Sequence, residues 1–188
     1  IGVSDLAKCP EVLTLEEQQE NEEEIWNLLE QAVRGACVKF VETREQEGEN
    51  LKRDLLLKLD EMLNLVAVVE ERSPEIVQEY RQKLEQKVRE LLSDSQMDEG
   101  RIATEVTIFA DKICVDEETV RLKSHIEAMK TALIAGGSIG RKLDFIAQEM
   151  NREANTTLSK ANDLKLSDCA IDLKTGIEKV REQIQNLE

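Results

Sequence analysis

Residues 140–161 combine side chains that bind phosphate and divalent cations, at the spacing of an α-helix. The apolar side of this helix consists of Leu143, Ala147, Met150, Ala154, Leu158 and Ala161. A second side carries Arg141, Gln148, Arg152, Asn155 and Ser159, and a third side carries Lys142, Glu149, Glu153 and Lys160. The apolar side predicts packing on a core. Guanidinium, amide and carboxylate groups at one-turn spacing favour contact with a polyanion and a metal.

The predicted metal site lies within this helix. Glu149 and Glu153 are four residues apart, so that both carboxylates could hold a hard cation, with Asp144 as a third ligand. Glutamates at this spacing are also common in helices that only form salt bridges, here to Lys142, Lys160 or a neighbouring helix.

Four stretches carry a resemblance to a known family: GRKLDFIAQEMNREANTTLSKA, DEGRIATEVTIFADK, EETVRLKSH and KVREQIQNLE. They cover most of residues 98–188 and resemble the C-terminal half of the YicC/YloC family of bacterial endoribonucleases; TREQEGENL at 43–51 fits a weaker part upstream. The resemblance implies a cytoplasmic ribonuclease that depends on Mn²⁺ or Mg²⁺ and assembles as a homo-oligomer, expected to be a hexamer. Family members usually begin with a separate N-terminal domain opened by an SMTG-like word. The chain lacks that word, so we expect a C-terminal portion without that domain.

Candidate catalytic groups lie on another predicted helix, where Glu118, Arg121 and His125 share a face. His125 is the only histidine, so any imidazole acid or base chemistry falls to it. Either Glu118 or His125 could take the proton of an RNA 2′-hydroxyl, or a metal-bound hydroxide could attack the phosphate directly. The alternative is a packing histidine bonded to Glu118.

Candidate RNA-binding residues are those that could neutralise phosphates or donate hydrogen bonds to RNA. They are Arg121, Arg141, Lys142, Gln148, Arg152, Asn155 and Lys160. Without the resemblance, the cations among them would be read as ion pairs between helices.

Composition limits the function classes. The formal net charge of −15 argues against a nucleic-acid binder, but −13 of it falls in residues 1–100 and only −2 in residues 101–188. Aromatic residues make up 3% of the chain, so stacking on aromatic platforms cannot be the main way of recognising RNA. The four cysteines lack metal-site spacing. No apolar run approaches the roughly 20 residues needed to cross a membrane, which predicts a soluble protein without membrane contact.

The remaining patterns predict an all-α protein with a long helical hairpin arm and a compact helical bundle. Residues 1–13 read as a linker. A capping box at Thr14 and Glu17 starts a long helix, and Gly48 is the expected place for a bend or break. One side of this helix is apolar, with Ile25, Leu28, Leu29, Ala32, Ala36 and Phe40. Ser73 and Pro74 predict a reversing turn, which makes residues 14–95 a hairpin and residues 96–188 the domain that carries the motifs. Another turn is predicted at 93–100.

The motif-bearing domain has its own helix signals. Asp116 can cap a helix whose Leu122, Ile126, Met129 and Leu133 recur at helical spacing, and Gly136 and Gly137 are expected to end it. Ser167 is the expected cap of the last helix.

Three functional hypotheses follow from these patterns. The preferred one is a metal-dependent endoribonuclease that cleaves single-stranded or structured RNA by hydrolysis or transesterification. The second is a non-catalytic helical adaptor that oligomerises or associates with RNA, with its polar residues sealed between helices. In the third, the chemistry requires the N-terminal domain, and this portion alone is inactive.

Overall fold

The computed structural model describes residues 2–10, 21–92 and 98–185 and confirms the all-α class. The helices are α1 (Val3–Leu6), α2 (Glu22–Leu92), α3 (Glu99–Ile113), α4 (Asp116–Ala135), α5 (Gly140–Lys160) and α6 (Leu164–Ile184). These ranges contain no β-strand. None of the helices in the described ranges is both long enough and apolar enough to span a membrane.

The chain forms two compact units, residues 1–46 and residues 47–188. In the described part of the first unit, the large apolar side chains are exposed, including Ile25, Leu28, Leu29 and Phe40 of the predicted apolar face. The exposed side chains are Val3, Leu6, Ile25, Trp26, Leu28, Leu29, Val33, Val38, Phe40 and Val41. The described residues of this unit therefore form helices without a buried apolar core.

The second unit is a helical bundle, as expected. Four helices contribute their apolar stripes to one core, because each stripe recurs every three or four residues and faces its neighbours. Its fully enclosed side chains include Leu55 and Leu59 from α2, Leu122, Ile126 and Met129 from α4, Leu143 and Met150 from α5, and Leu173 and Ile177 from α6. Helix α5 packs against both α4 and α6.

The predicted turn at Ser73 and Pro74 is wrong, because α2 runs through Pro74 without reversing. Proline in a helix interior costs about 3 kcal/mol, since it removes a backbone hydrogen bond and crowds the preceding turn. Val69 and Ile76, on either side of the proline, are both buried in a second core cluster with Ile113, Val115 and Leu166. Burial of one continuous face across Pro74 offsets this cost, so the arm is a single helix and not a hairpin.

The contacts of Arg72 also connect the two sides of the proline. Arg72 donates hydrogen bonds to Glu75 (3.0 Å), Glu79 (2.6 Å) and Asp163 (3.1 Å), the last of which caps α6. Asp163, and then Glu79 and Glu75, raise the pKa of Arg72, while Arg72 lowers the pKa values of Asp163 and Glu79. Charged contacts therefore join both sides of the proline to the start of α6.

The start of α3 and the end of α4 follow local chemistry. Asp98 caps α3 by accepting from the amides of Gly100 and Arg101. Gly136 and Gly137, with φ of 68° and 87°, end α4 as predicted, since left-handed backbone favours glycine.

Three predictions of local structure differ from the structure. Asp163, and not Ser167, caps α6, while Asp116 is the first residue of α4 and not its cap. No helix break occurs at Gly48. The predicted capping box of Thr14 and Glu17 lies outside the described residues, as do residues 93–97 of the turn predicted at 93–100. The domain boundaries at 13/14 and 95/96 stay predictions.

Candidate functional site

Helices α4 and α5 bring together many of the candidate residues along one polar boundary, here called the α4–α5 seam. The seam consists of Glu118, Arg121, His125, Glu149, Glu153 and Lys160. The short connection after Gly136 and Gly137 lets α5 return beside α4. Candidate residues on α4 therefore lie next to candidate residues on α5, although they are far apart in the sequence.

Two ion pairs link the helices across the seam. The Lys160 ammonium lies 2.8 Å from Glu118 Oε1 and donates to the Cys114 carbonyl at 2.9 Å. Arg121 contacts Glu153 at 3.5 Å and also bonds Glu117 on its own helix. Lys160 and Arg121, predicted to bind RNA, are therefore already engaged by protein groups.

The seam has buried carboxylates beneath more exposed cations. The side chains of Glu118 and Glu153 are only 8% and 12% exposed, whereas that of Arg121 is 55% exposed. Glu118 Oε2 is buried and has no hydrogen-bond partner among the described residues. Such an oxygen loses hydration without compensation, so Glu118 depends strongly on its contact with Lys160.

His125 is half-buried on the same side of α4. Within the described part of the chain, its ring forms no hydrogen bond, and Glu118 bonds to Lys160 instead. The two ion pairs show that α4 and α5 run antiparallel, and their positions place His125 near the level of Glu149 and Glu153 on α5. The imidazole nitrogens therefore have no hydrogen-bond partner among the described residues, and the ring lies at the level of a carboxylate.

The three predicted metal ligands are not brought together. Asp144 faces α6, where it accepts from Arg181 at 3.1 Å. Glu149 pairs with Arg152 at 2.9 Å, and Glu153 contacts Arg121.

Each of these carboxylates thus faces an arginine. The described ranges contain no group of three or more His, Cys, Asp or Glu residues suited to holding a metal. The donor set in one chain does not fit the predicted ion, because arginine charge occupies the position that a cation would take. The metal requirement itself stays a prediction.

A polar surface remains on the solvent side of α5, here called the α5 outer face. It consists of Arg141, Phe145, Gln148, Arg152, Asn155 and Ser159, all classed as exposed. Arg141, Lys142 and Asn155 have no side-chain hydrogen bond or ion pair among the residues that the structure describes. Gln148 donates to Asp144 at 2.8 Å. Four of the predicted RNA-binding residues therefore share one face, and Lys142 flanks it.

A cavity of about 430 Å³ lies at the start of this face, between α5 and the end of α6. Arg141 and Arg181 both line it, together with Asp144 and the backbone around Gly140. Helix α5 begins without a side-chain cap and without an acidic residue in its first turn. Its first amides and Arg141 give this end of α5 a positive electrostatic potential.

Sequence patterns missed the α5–α6 contacts. Arg181 reaches Asp144, and Asn151 donates to Glu178 at 2.8 Å. Periodicity placed these residues near the helix boundary but could not indicate their partners. Phe145 was also missed, although an aromatic residue within an otherwise polar stripe was a visible signal.

Comparisons with known proteins agree with the motifs. The family model described as "Endoribonuclease YicC-like, C-terminal" matches residues 69–188, and that of the "Endoribonuclease YicC-like, N-terminal region" matches residues 1–53. The chain is 44% identical over 189 residues to the "Probable endoribonuclease YicC" of Clostridioides difficile (strain 630). It is 35% identical over 188 residues to the protein of the same name from Haemophilus influenzae. All of the chain aligns in both comparisons, and it spans 64% of each relative.

The N-terminal match corrects one expectation. Both family regions are present, so the chain is not the C-terminal portion alone. Residues 1–13, expected to be a linker from a missing domain, fall within the N-terminal match.

Proposed function

The chain belongs to the YicC-like endoribonuclease family, and from this premise we propose that it cleaves RNA held along the α5 outer face. The main support is the set of exposed polar groups on that face. Among the described residues, Arg141 and Lys142 have no charged partner, and Arg152 pairs only with Glu149 on its own helix. Because the Arg152 side chain is 74% exposed, this pair contributes little to stability, and Arg152 can exchange its carboxylate for a phosphate at small cost.

The distribution of charge supports the same surface. Residues 101–188 are close to neutral, at −2, so the acidic excess lies elsewhere in the sequence. On the α5 outer face itself, the charged residues are Arg141 and Arg152. Phosphate contacts from such cations give affinity for RNA without reading its sequence.

We assign proton transfer to His125. Glu118 is the weaker candidate, because Lys160 holds one of its oxygens and burial encloses the other. In transesterification, His125 accepts the 2′-hydroxyl proton as the 2′-oxygen bonds to phosphorus. The bond from phosphorus to the 5′-oxygen breaks, which leaves a 2′,3′-cyclic phosphate and a 5′-hydroxyl protonated from solvent.

The predicted Mn²⁺ or Mg²⁺ and the predicted hexamer enter the proposal separately. The proposed proton transfer and bond cleavage are assigned to no metal ion, since Asp144, Glu149 and Glu153 face arginines. Cleavage with and without EDTA tests the requirement, and light scattering tests the subunit number. The exposed apolar side chains of α2 between residues 25 and 41 support self-association, because large apolar surfaces commonly mark interfaces.

The non-catalytic adaptor is the second candidate, and one observation favours it. Glu118–Lys160 and Arg121–Glu153 join neighbouring helices, as expected of polar residues that fix a fold. An adaptor would bind RNA or a partner without cleaving either. A cleavage assay separates the two candidates.

The test uses RNA binding and cleavage by the full-length protein and the double variant Arg141→Gln/Arg152→Gln. We expect each arginine lost to weaken binding by about 1 kcal/mol, roughly fivefold. The slope of log K against log salt should fall by about 0.7 per phosphate contact on a single strand. Arg81→Gln is the matched control, because Arg81 is also a mostly exposed helical arginine paired with a glutamate on its own helix. Equal binding and salt dependence in all three proteins would exclude the α5 outer face.

Cleavage supplies a second readout. His125→Gln should bind RNA as the unaltered protein does while losing cleavage. Retained cleavage would remove His125 from the proposed chemistry, and absence of any cleavage by the unaltered protein would favour the adaptor.

A further inference from the structure

Phe145 is an exposed aromatic residue on the polar side of α5. It is 62% exposed, and its ring makes no aromatic stacking or cation–π contact within the described residues. Phe109, by contrast, stacks on Tyr80 with ring centroids 3.8 Å apart. Most of the Phe145 ring is not buried in the core, so packing does not explain why an aromatic residue occupies this position.

The position of Phe145 relative to the cations points to a ligand. At about 100° per residue, Arg141, Phe145, Gln148, Arg152 and Asn155 fall within an arc of about 80° on one side of the helix. Along the axis, Phe145 lies about 6 Å from the level of Arg141 and about 10 Å from that of Arg152. An apolar ring therefore lies between two guanidinium groups on one exposed surface.

This arrangement matches the chemistry of single-stranded nucleic acid. Cations can hold the charged backbone while an aromatic ring accepts the flat face of an unpaired base, and paired bases in a duplex do not offer that face. A protein partner would favour a wider apolar patch, but Arg141 and Arg152 flank Phe145 along its own face.

We propose that Phe145 stacks on a nucleobase of single-stranded RNA while Arg141 and Arg152 contact the adjoining phosphates. This inference rests on the proposed function and adds a substrate class, unpaired RNA. One ring supplements the phosphate contacts, which agrees with the low aromatic content of the chain. The contact positions the strand on α5 and takes no part in bond cleavage.

The test measures binding of a labelled oligouridine and of an abasic oligomer of the same length to the full-length protein. Phe145→Ala should weaken binding of the oligouridine about tenfold and leave binding of the abasic oligomer unchanged. Phe145→Tyr should restore binding, because the ring is retained. The salt slope should stay constant in both variants, since no phosphate contact is removed.

Ile134→Ala is the matched control, because Ile134 is 65% exposed and lies on α4. It should bind both oligomers as the unaltered protein does. Equal loss in Phe145→Ala and Ile134→Ala would overturn stacking and indicate a general loss of apolar surface. A lower solution mass of Phe145→Ala by light scattering would also overturn it, and would assign the ring to a contact between copies.

The outcomes also separate this inference from the proposed function. If the arginine variants weaken RNA binding while Phe145→Ala does not, the α5 outer face binds RNA but stacking is wrong. If neither kind of variant changes binding, the face does not bind RNA at all.

Discussion

Replacement of Lys160 by methionine tests whether the α4–α5 seam is a structural contact. Methionine keeps much of the apolar stem but removes the ammonium that contacts Glu118 and the Cys114 carbonyl. Because Glu118 Oε2 has no partner among the described residues, the change leaves both oxygens of a nearly buried carboxylate without one there. We therefore expect Lys160→Met to destabilise the fold.

The size of the effect follows from burial. Breaking a fully buried ion pair costs about 3–5 kcal/mol, whereas an exposed pair contributes about 0–1 kcal/mol. Glu118 is 8% exposed but Lys160 is 32% exposed, so water can reach the vacated position. We expect a loss of about 2 kcal/mol, which for a domain of this size lowers Tm by roughly 4–8 °C.

A double-mutant cycle measures the pair itself. Glu118→Gln removes the charge that Lys160→Met leaves uncompensated, so the double variant should be more stable than the sum of the two single losses predicts. Urea unfolding followed by helical circular dichroism gives the four free energies. Lys165→Met is the control, because Lys165 is exposed and its side chain forms no hydrogen bond or ion pair among the described residues.

Two results would refute the structural role. A loss below about 0.5 kcal/mol in Lys160→Met would place the residue among ordinary surface positions. Strict additivity in the cycle would show that Glu118 and Lys160 do not interact. Either result would make Lys160 available for RNA, as its sequence context first suggested.

Two further predictions concern α2 and its contact with α6. The hydrogen bond from Arg72 is the largest cause that lowers the pKa of Asp163, and backbone hydrogen bonds lower it further. The Asp163 carboxylate therefore stabilises the fold at a pH above its unfolded pKa of about 3.9. This stabilisation is lost as the pH falls through the folded pKa. Asp163→Asn should therefore lower the urea midpoint at pH 6 and flatten its decline on acidification; an unchanged pH profile would contradict this. Gly48→Ala should stabilise α2 by about 0.5–1 kcal/mol, since a methyl group there meets nothing within 4 Å, and a lower melting temperature by circular dichroism would show that Gly48 serves a bend.

The sequence was sufficient for the parts of the fold that depend on local chemistry. The spacing of Leu122, Ile126, Met129 and Leu133 predicted both a helix and its buried face, and all four are buried. Gly136 ended α4 as predicted. These features repeat within a few residues, so neighbouring side chains alone specify them.

The site was only partly predictable, because the sequence pattern places residues on a helix face but does not identify their partners on other helices. Periodicity placed Arg141, Gln148, Arg152 and Asn155 on one face of α5, and the structure leaves that face exposed. It could not show that Asp144 faces Arg181 on another helix. Two of the three predicted metal ligands, Asp144 and Glu153, therefore pair with arginines that only the packing of α5 between its neighbours brings to them.

The sequence by itself determined the all-α class, the apolar stripes of the bundle and the family motifs. Only the tertiary structure decided that α2 continues through Pro74 and that Lys160 lies against Glu118. Helix propensity and hydrophobic periodicity act over one or two turns, whereas burial and charge pairing depend on distant segments meeting. A proline that ends a helix in isolation is tolerated where packing on both sides outweighs its local cost, and a polar side chain acquires its partner only when another helix arrives.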